Sequence, residues 1–254
     1  MNIEGHAALV TGGGSGLGEA VARELARLGA KVAVIDVNAA NAQRVAGEIG
    51  GLALTADICD TGSLTAALDA AEAAHGTARM VMNIAGIGTA KRVVGKDGQP
   101  APLEDFERVI RVNLVGTYNV VRLTAARLVK LVPLPGGERG VMLMTASVAA
   151  YDGQVGQEAY SASKGGIVGM TLPLARDLAQ HGVRVCTVAP GLFATPLMRQ
   201  LPEPVQQSLA ASIPFPPRLG QPEEFAALAA HIVTNGHLNG EVIRLDGALR
   251  MAPR

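Results

Sequence analysis

The chain has 254 residues, 48% hydrophobic and 17% charged, enough to bury a large core within one α/β domain. Its 22 basic residues balance 22 acidic ones, which excludes a bulk electrostatic pull toward nucleic acid or an anionic membrane surface. Cys59 and Cys186 lie far apart and argue for free thiols, and five histidines without H-E-x-x-H spacing argue against a metal site.

The apolar run Ala7-Ala-Leu-Val10 predicts a strand near 6–11, and the spacing of Leu17, Val21, Leu25 and Leu28 predicts a helix over 17–28. Between them lies Thr11-Gly-Gly-Gly-Ser-Gly-Leu-Gly18. Glycine there permits positive φ and close backbone approach to a pyrophosphate, while the helix start offers free N–H groups to its charge. The spacing Gly12-x-x-x-Gly16-x-Gly18 is not G-x-G-x-x-G, so by itself the run leaves a ligand-free turn open. Lys31-Val-Ala-Val-Ile35 predicts the next strand, over 31–36, closed by Asp36. An acid at this offset accepts hydrogen bonds from the adenosine ribose hydroxyls and repels a 2′-phosphate. No Lys or Arg stands at 12–18 or 37–41 to neutralise such a phosphate, so NAD is favoured over NADP.

The alternation continues with helices over 39–48 and 61–75 and strands over 51–56 and 79–83. Thr89 to Pro102 interrupts it with Lys91, Arg92, Lys96 and two prolines, longer than the usual connection of about 2–6 residues. Its basic residues suit either the phosphates of coenzyme A or solvent. A helix over 103–131 follows, then a strand over 140–146 that is closed by Ser147.

Tyr160 and Lys164 stand at i and i+4 in a helix predicted over 157–180, on one face. A free tyrosine ionises near pH 10, so service as a base near neutrality needs a shift of a few units, about 1.4 kcal/mol each. A neighbouring ammonium supplies part of that shift, and the positive ring of an oxidised nicotinamide supplies more. Ser147 is placed to hold the substrate oxygen. Gly165, Gly166 and Gly169 leave small helix faces, for internal packing or for a twin subunit, and Pro173 removes one helical hydrogen bond.

Strands over 183–189 and 242–245 and a helix over 223–235 complete the pattern. The strand-then-helix rhythm implies a doubly wound parallel sheet covered on both faces. Leu192 to Arg218, apolar and rich in proline, is read either as a segment closing over an acyl chain or as a packed helix pair. No apolar run approaches the roughly 20 residues of a membrane span, and the chain opens without a basic apolar leader; both point to a cytoplasmic protein.

These residues together resemble the short-chain dehydrogenase/reductase family along nearly the whole chain. Beyond the glycine turn, Ser147, Tyr160 and Lys164, the resemblance rests on Asp57-Ile58, Asn83-Ile-Ala-Gly86, Asn113, and Pro190-Gly191 followed by Thr195. It implies a single-domain Rossmann-like α/β fold whose seven strands run in the order 3-2-1-4-5-6-7. It also implies Tyr160 as catalytic acid/base, Ser147 as the group orienting the substrate, and Lys164 binding the nicotinamide ribose and lowering the tyrosine pKa. Asn113 would hold a water in a proton relay. Gly12, Ser15, Gly16, Leu17, Gly18 and Asp36 would bind the cofactor's adenosine and pyrophosphate side, with Asp57 and Ile58 at the adenine. Asn83, Ala85 and Gly86 would line the cofactor, Pro190, Gly191 and Phe193 would contact it, and Thr195 would hold the carboxamide. Ile84 departs from the second asparagine that many members carry.

Longer blocks, among them Thr145-Ala-Ser-Val-Ala-Ala150, Gly153-Gln-Val-Gly-Gln157, Ala189-Pro-Gly-Leu-Phe193 and Gly240-Glu-Val-Ile-Arg-Leu-Asp-Gly247, are similar to the type-2 3-hydroxyacyl-CoA dehydrogenase group, also called 17β-hydroxysteroid dehydrogenase type 10. That similarity implies NAD-dependent oxidation of short or 2-methyl-branched 3-hydroxyacyl-CoA thioesters by a homotetramer, with Gln154, Leu192 and Leu197 near the substrate. A 3-oxoacyl-carrier-protein reductase would share the machinery but usually takes NADPH, against which Asp36 argues. A dehydrogenase of steroid or other small secondary alcohols and a cofactor-binding scaffold are the remaining alternatives.

Overall fold

A computed structural model describes residues 1–88, 90–199 and 201–253, without the side chain of Leu197. Seven parallel strands form one sheet: β1 (Ala7–Thr11), β2 (Lys31–Asp36), β3 (Leu52–Thr55), β4 (Met80–Asn83), β5 (Gly140–Thr145), β6 (Val183–Pro190) and β7 (Val242–Leu245). Their spatial order is 3-2-1-4-5-6-7, and the chain reverses its direction of travel across the sheet between β1 and β4. Ligands of open α/β sheets bind at such a point, beyond the carboxyl ends of the strands.

Alternation along each strand decides the two cores. Ala8, Val10, Val32, Val34, Met82 and Leu143 face one side, where α1 (Gly16–Arg27), α2 (Ala39–Ile49) and α9 (Pro222–Thr234) cover them. Leu9, Ala33, Ile35, Val81, Met142 and Met144 face the other, under α3 (Thr61–His75), α5 (Thr117–Leu128) and α6 (Glu158–Ala179). A residue and its neighbour thus enter different layers, so strands buried on both faces read as unbroken apolar runs.

Three segments differ from the sequence expectation. The helix expected over 103–131 is α4 (Leu103–Ile110), a π turn (Arg111–Gly116) and then α5, ending at Leu128. The Thr117 hydroxyl accounts for part of this, because it donates to the Asn113 carbonyl at 2.7 Å and so competes for a main-chain acceptor. Beyond β6 the chain forms two short helices, α7 (Pro196–Arg199) and α8 (Glu203–Ala211), the second without a buried residue. The long loop after β4 is closed on itself by an antiparallel bridge between Val94 and Pro100. Elsewhere α6 runs unbroken through Pro173.

Arg184 of β6 is 7% exposed and donates to the carbonyls of Ile232, Val233, Asn235 and Leu238 as well as to Glu138. It ties the end of α9 to the sheet. Arg184→Met should cost about 3–5 kcal/mol, because four carbonyls lose their donor and the half-buried Glu138 carboxylate keeps only the Met1 amino group. In a chain of this size that corresponds to a fall of roughly 2–4 °C per kcal/mol in a calorimetric melt. An unchanged melting temperature would show that these carbonyls find water instead.

Among the described residues no helix is long and apolar enough to cross a membrane, and no cluster of His, Cys, Asp and Glu could hold a metal ion. Cys59 and Cys186 are both free.

Candidate active site

A cavity of about 560 Å³ opens beyond the strand ends, within the usual size of ligand pockets. The glycine turn forms one wall. Gly12 has φ +64°, and a Cβ on it would lie 2.8 Å from the Ala85 Cα, so the turns after β1 and β4 pass this closely only because the residue is glycine. A Cβ on Gly18 would run into the Gly12 carbonyl. Ser15 enters α1 in an extended conformation and makes no side-chain cap, which leaves the first-turn N–H groups open to an anion. The Thr11 hydroxyl accepts from the N–H groups of Ile84 and Ala85 at 3.1 and 3.3 Å and thereby fixes the facing turn.

Asp36 stands where β2 ends, on the cavity wall with Val37. One carboxylate oxygen accepts from Gly14 N at 3.0 Å and the other from Asn38 N at 2.9 Å. Asp57 and Ile58 line the same side, and Pro190 and Thr195 the opposite one. Gly16, Leu17, Ala85 and Gly86 complete the set predicted to face the cavity. The tight turn that Gly12 and Gly18 permit, with the uncapped start of α1 beside it, fits a dinucleotide. So does Thr145, a wall residue whose buried hydroxyl has no partner among the described residues.

The reactive groups meet at the far end. Ser147 caps a short 3-10 helix, Val148–Ala150, by accepting from Ala149 N at 3.1 Å, and its hydroxyl stands near enough to that of Tyr160 to favour the tyrosinate. Lys164, one turn further along α6 and 4% exposed, donates to the Thr145 carbonyl at 2.7 Å and lies 5.7 Å from the Tyr160 ring centre. Burial holds the Lys164 ammonium down to about 8. Burial also raises the Tyr160 phenol, and the neighbouring Ser147 hydroxyl opposes it. In the protein itself desolvation therefore outweighs the lowering expected from the lysine. Each charge alone is penalised, whereas a tyrosinate and an ammonium together carry no net charge and compensate one another.

Other predicted residues stand apart from the cavity. Asn113 is fully buried in the π turn, and its side chain is spent on the Ile87 main chain (2.8 and 2.9 Å) and on Ser163 (3.1 Å). Its carboxamide is thus a brace between the turn after β4 and α6. Asn83 ends β4 with a buried amide that has no partner among the described residues, and the wall is formed by Ile84 to Gly88 instead. Gly191 packs against Asp246, where a Cβ would lie 2.8 Å from the Asp246 Cβ. Phe193 turns into the core, edge-on to Phe225, so its side chain does not reach the cofactor cavity. Leu192 lines a separate cavity of about 220 Å³ with Ile213, Pro216 and Leu245. Gln154 donates to the Ala252 carbonyl at 3.0 Å, so its amide is held by the C-terminal segment. The Leu197 side chain and Thr89 lie outside the described residues. In the loop after β4, Lys91 is paired with Asp105, while Arg92 and Lys96 have no ion pair among the described residues.

Val37, Ala56, Ile87, Val112, Thr145, Ala146 and Pro196 also line the cavity. Thr145 and Ala146 carried a signal, their place between an apolar run and Ser147. Val112 carried none, since only the π turn brings it round.

Comparison with known proteins agrees with this geometry. A family model described as short chain dehydrogenase matches residues 6–206. A Bos taurus protein named 3-hydroxyacyl-CoA dehydrogenase type-2 is 51% identical, over 99% of this chain and 98% of that protein. The crystal structure of 3-hydroxyacyl-CoA dehydrogenase type-2 from Mycobacterium avium superimposes with a TM-score of 0.93 at 44% identity, covering 98% of both chains. A 3-ketoacyl-(acyl-carrier-protein) reductase from Brucella melitensis, complexed with NADH, gives 0.86 at 33% identity over 98% of this chain and 100% of that one. The cavity, its glycine cradle and the Ser147, Tyr160 and Lys164 cluster are those of a nicotinamide-dependent oxidoreductase, and the chain belongs to the short-chain dehydrogenase family.

Proposed function

We propose that this protein interconverts 3-hydroxyacyl-CoA and 3-oxoacyl-CoA thioesters of short or 2-methyl-branched chain, with NAD as cofactor. The observation that carries the chemistry is Tyr160, beside Ser147 and one turn from Lys164, at the end of a dinucleotide-sized cavity. The acyl-CoA class is supported by 51% identity, over nearly the whole length, to a protein bearing that name. NAD is supported by the Asp36 carboxylate, held at the cavity wall where it would meet a ribose diol and repel a 2′-phosphate.

Bound here, NAD supplies the hydride acceptor and a positive ring that favours tyrosinate. Ser147 and Tyr160 hold the oxygen on C3 of the substrate, and ionised Tyr160 takes its proton. The Lys164 ammonium would stabilise the tyrosinate and hold the nicotinamide ribose. Asn113 would contribute to the relay through its carbonyl, beside the Thr117 hydroxyl that donates to it.

Leu103, Phe106, Val115 and Tyr118 expose apolar surface along α4, the π turn and α5. Gly165 and Gly169 of α6 face open space. These surfaces support assembly as a homotetramer.

The test is NADH oxidation by purified protein with acetoacetyl-CoA, beside NADPH and a CoA-free β-ketoester. The thioester with NADH should turn over fastest. Turnover of steroids or simple ketones without the thioester would overturn the substrate and keep the chemistry.

A further inference from the structure

The Gly14 peptide is held from both sides. Its N–H donates to Asp36 Oδ2 at 3.0 Å, and its carbonyl accepts from Arg44 Nη2 at 3.1 Å. A Cβ on Gly14 would lie 2.8 Å from both Asp36 Oδ2 and the Asn41 Cβ. Asn41 and Arg44, one turn apart on α2, therefore press that helix onto this peptide. The guanidinium of Arg44 stands one peptide group away from the carboxylate that would meet the ribose.

Its charge is already answered. Glu19, in the first turn of α1, takes Arg44 with both oxygens at 3.0 and 2.7 Å and also accepts from Arg23 at 3.0 and 2.7 Å. Glu48 closes the group by pairing with Arg23 and with Arg44, the latter at 3.5 Å. Two cations and two anions leave no net charge. A network of this exposure contributes little to stability, typically about 0–1 kcal/mol per pair, and a plain staple between α1 and α2 has no need of the Gly14 carbonyl.

We propose that Glu19 and Arg44 form a second determinant of dinucleotide choice. Arg44 fixes the Gly14 peptide so that Asp36 keeps its place for the ribose diol. Glu19 neutralises the guanidinium, which would otherwise attract a 2′-phosphate. Arg44 escapes a search confined to 12–18 and 37–41 because α2 folds back over the turn. The inference rests on the NAD reading above.

Glu19→Gln, Arg44→Gln and the double variant should be titrated with NADH and NADPH, read by the fluorescence of the reduced nicotinamide, since the chain has no tryptophan. Glu19→Gln should shift the NADPH-to-NADH affinity ratio toward NADPH by about tenfold at low salt, and the gain should shrink as added salt screens the charge. Arg44→Gln should weaken NADH by about fivefold, because the Gly14 peptide loses a charge-assisted hydrogen bond. The double variant should lose the NADPH gain. An unchanged ratio in Glu19→Gln, or equal changes for both cofactors without salt dependence, would leave only a staple and overturn the proposal. Wild-type protein that prefers NADPH would overturn the NAD reading itself, before any variant is made.

Discussion

Tyr160→Phe should lower kcat by about 10²–10⁴-fold or more while NADH affinity stays within a few-fold of wild type. The substitution removes the hydroxyl beside Ser147 and leaves the ring, the helix and Lys164 in place. Burial already disfavours an isolated charge on either Tyr160 or Lys164, so base strength near neutrality belongs to the pair with its ligands. Without the hydroxyl the substrate oxygen loses the phenol that takes its proton, while the Lys164 ammonium stays bonded to the Thr145 carbonyl. The partner of the Ser147 hydroxyl, the Ala149 N–H, is a donor and not a base. Steady-state turnover beside a cofactor titration separates the two effects, and wild-type-like turnover would refute the assignment.

Gly18→Ala should weaken cofactor binding by about 100-fold and also destabilise the protein by about 1–3 kcal/mol, the cost of overpacking a closed site. The added methyl would overlap the Gly12 carbonyl and also lie within 3.1 Å of the Gly13 Cα. Both neighbours are main chain, and Gly12 cannot retreat because it stands against Ala85. The turn must open, and the N–H groups at the start of α1 then lose their aim. Isothermal titration with NADH, together with a melting curve, reads both effects. Wild-type affinity in a destabilised variant would mean that the cradle serves folding alone.

Most of the architecture was present in the periodicity. Runs such as Val141 to Met144 are apolar at every position because both sheet faces are covered, and the helices after them carry their apolar residues three and four apart. Tyr160 and Lys164 could be placed on one face from spacing alone, because i and i+4 are neighbours on any helix. Asp36 was legible for a similar reason: it ends a strand whose neighbour, β1, carries the glycine turn.

The chain by itself determined the strands, the helices, the glycine turn and the reactive face of α6, all set by interactions among residues close in sequence. Tertiary structure alone decided the rest. Asn113 became a brace because a π turn, completed by Thr117 and by the Ile87 main chain, rotates it inward. Phe193 left the cofactor wall because Phe225, thirty-two residues on, offers it an apolar bed. Gln154 turned to the chain's end, and Arg44 reached the Gly14 carbonyl from a helix that spacing rules did not connect with it. Direction in loops and pairing across long separations depend on which surfaces the sheet brings within a few ångströms, and no local pattern encodes that.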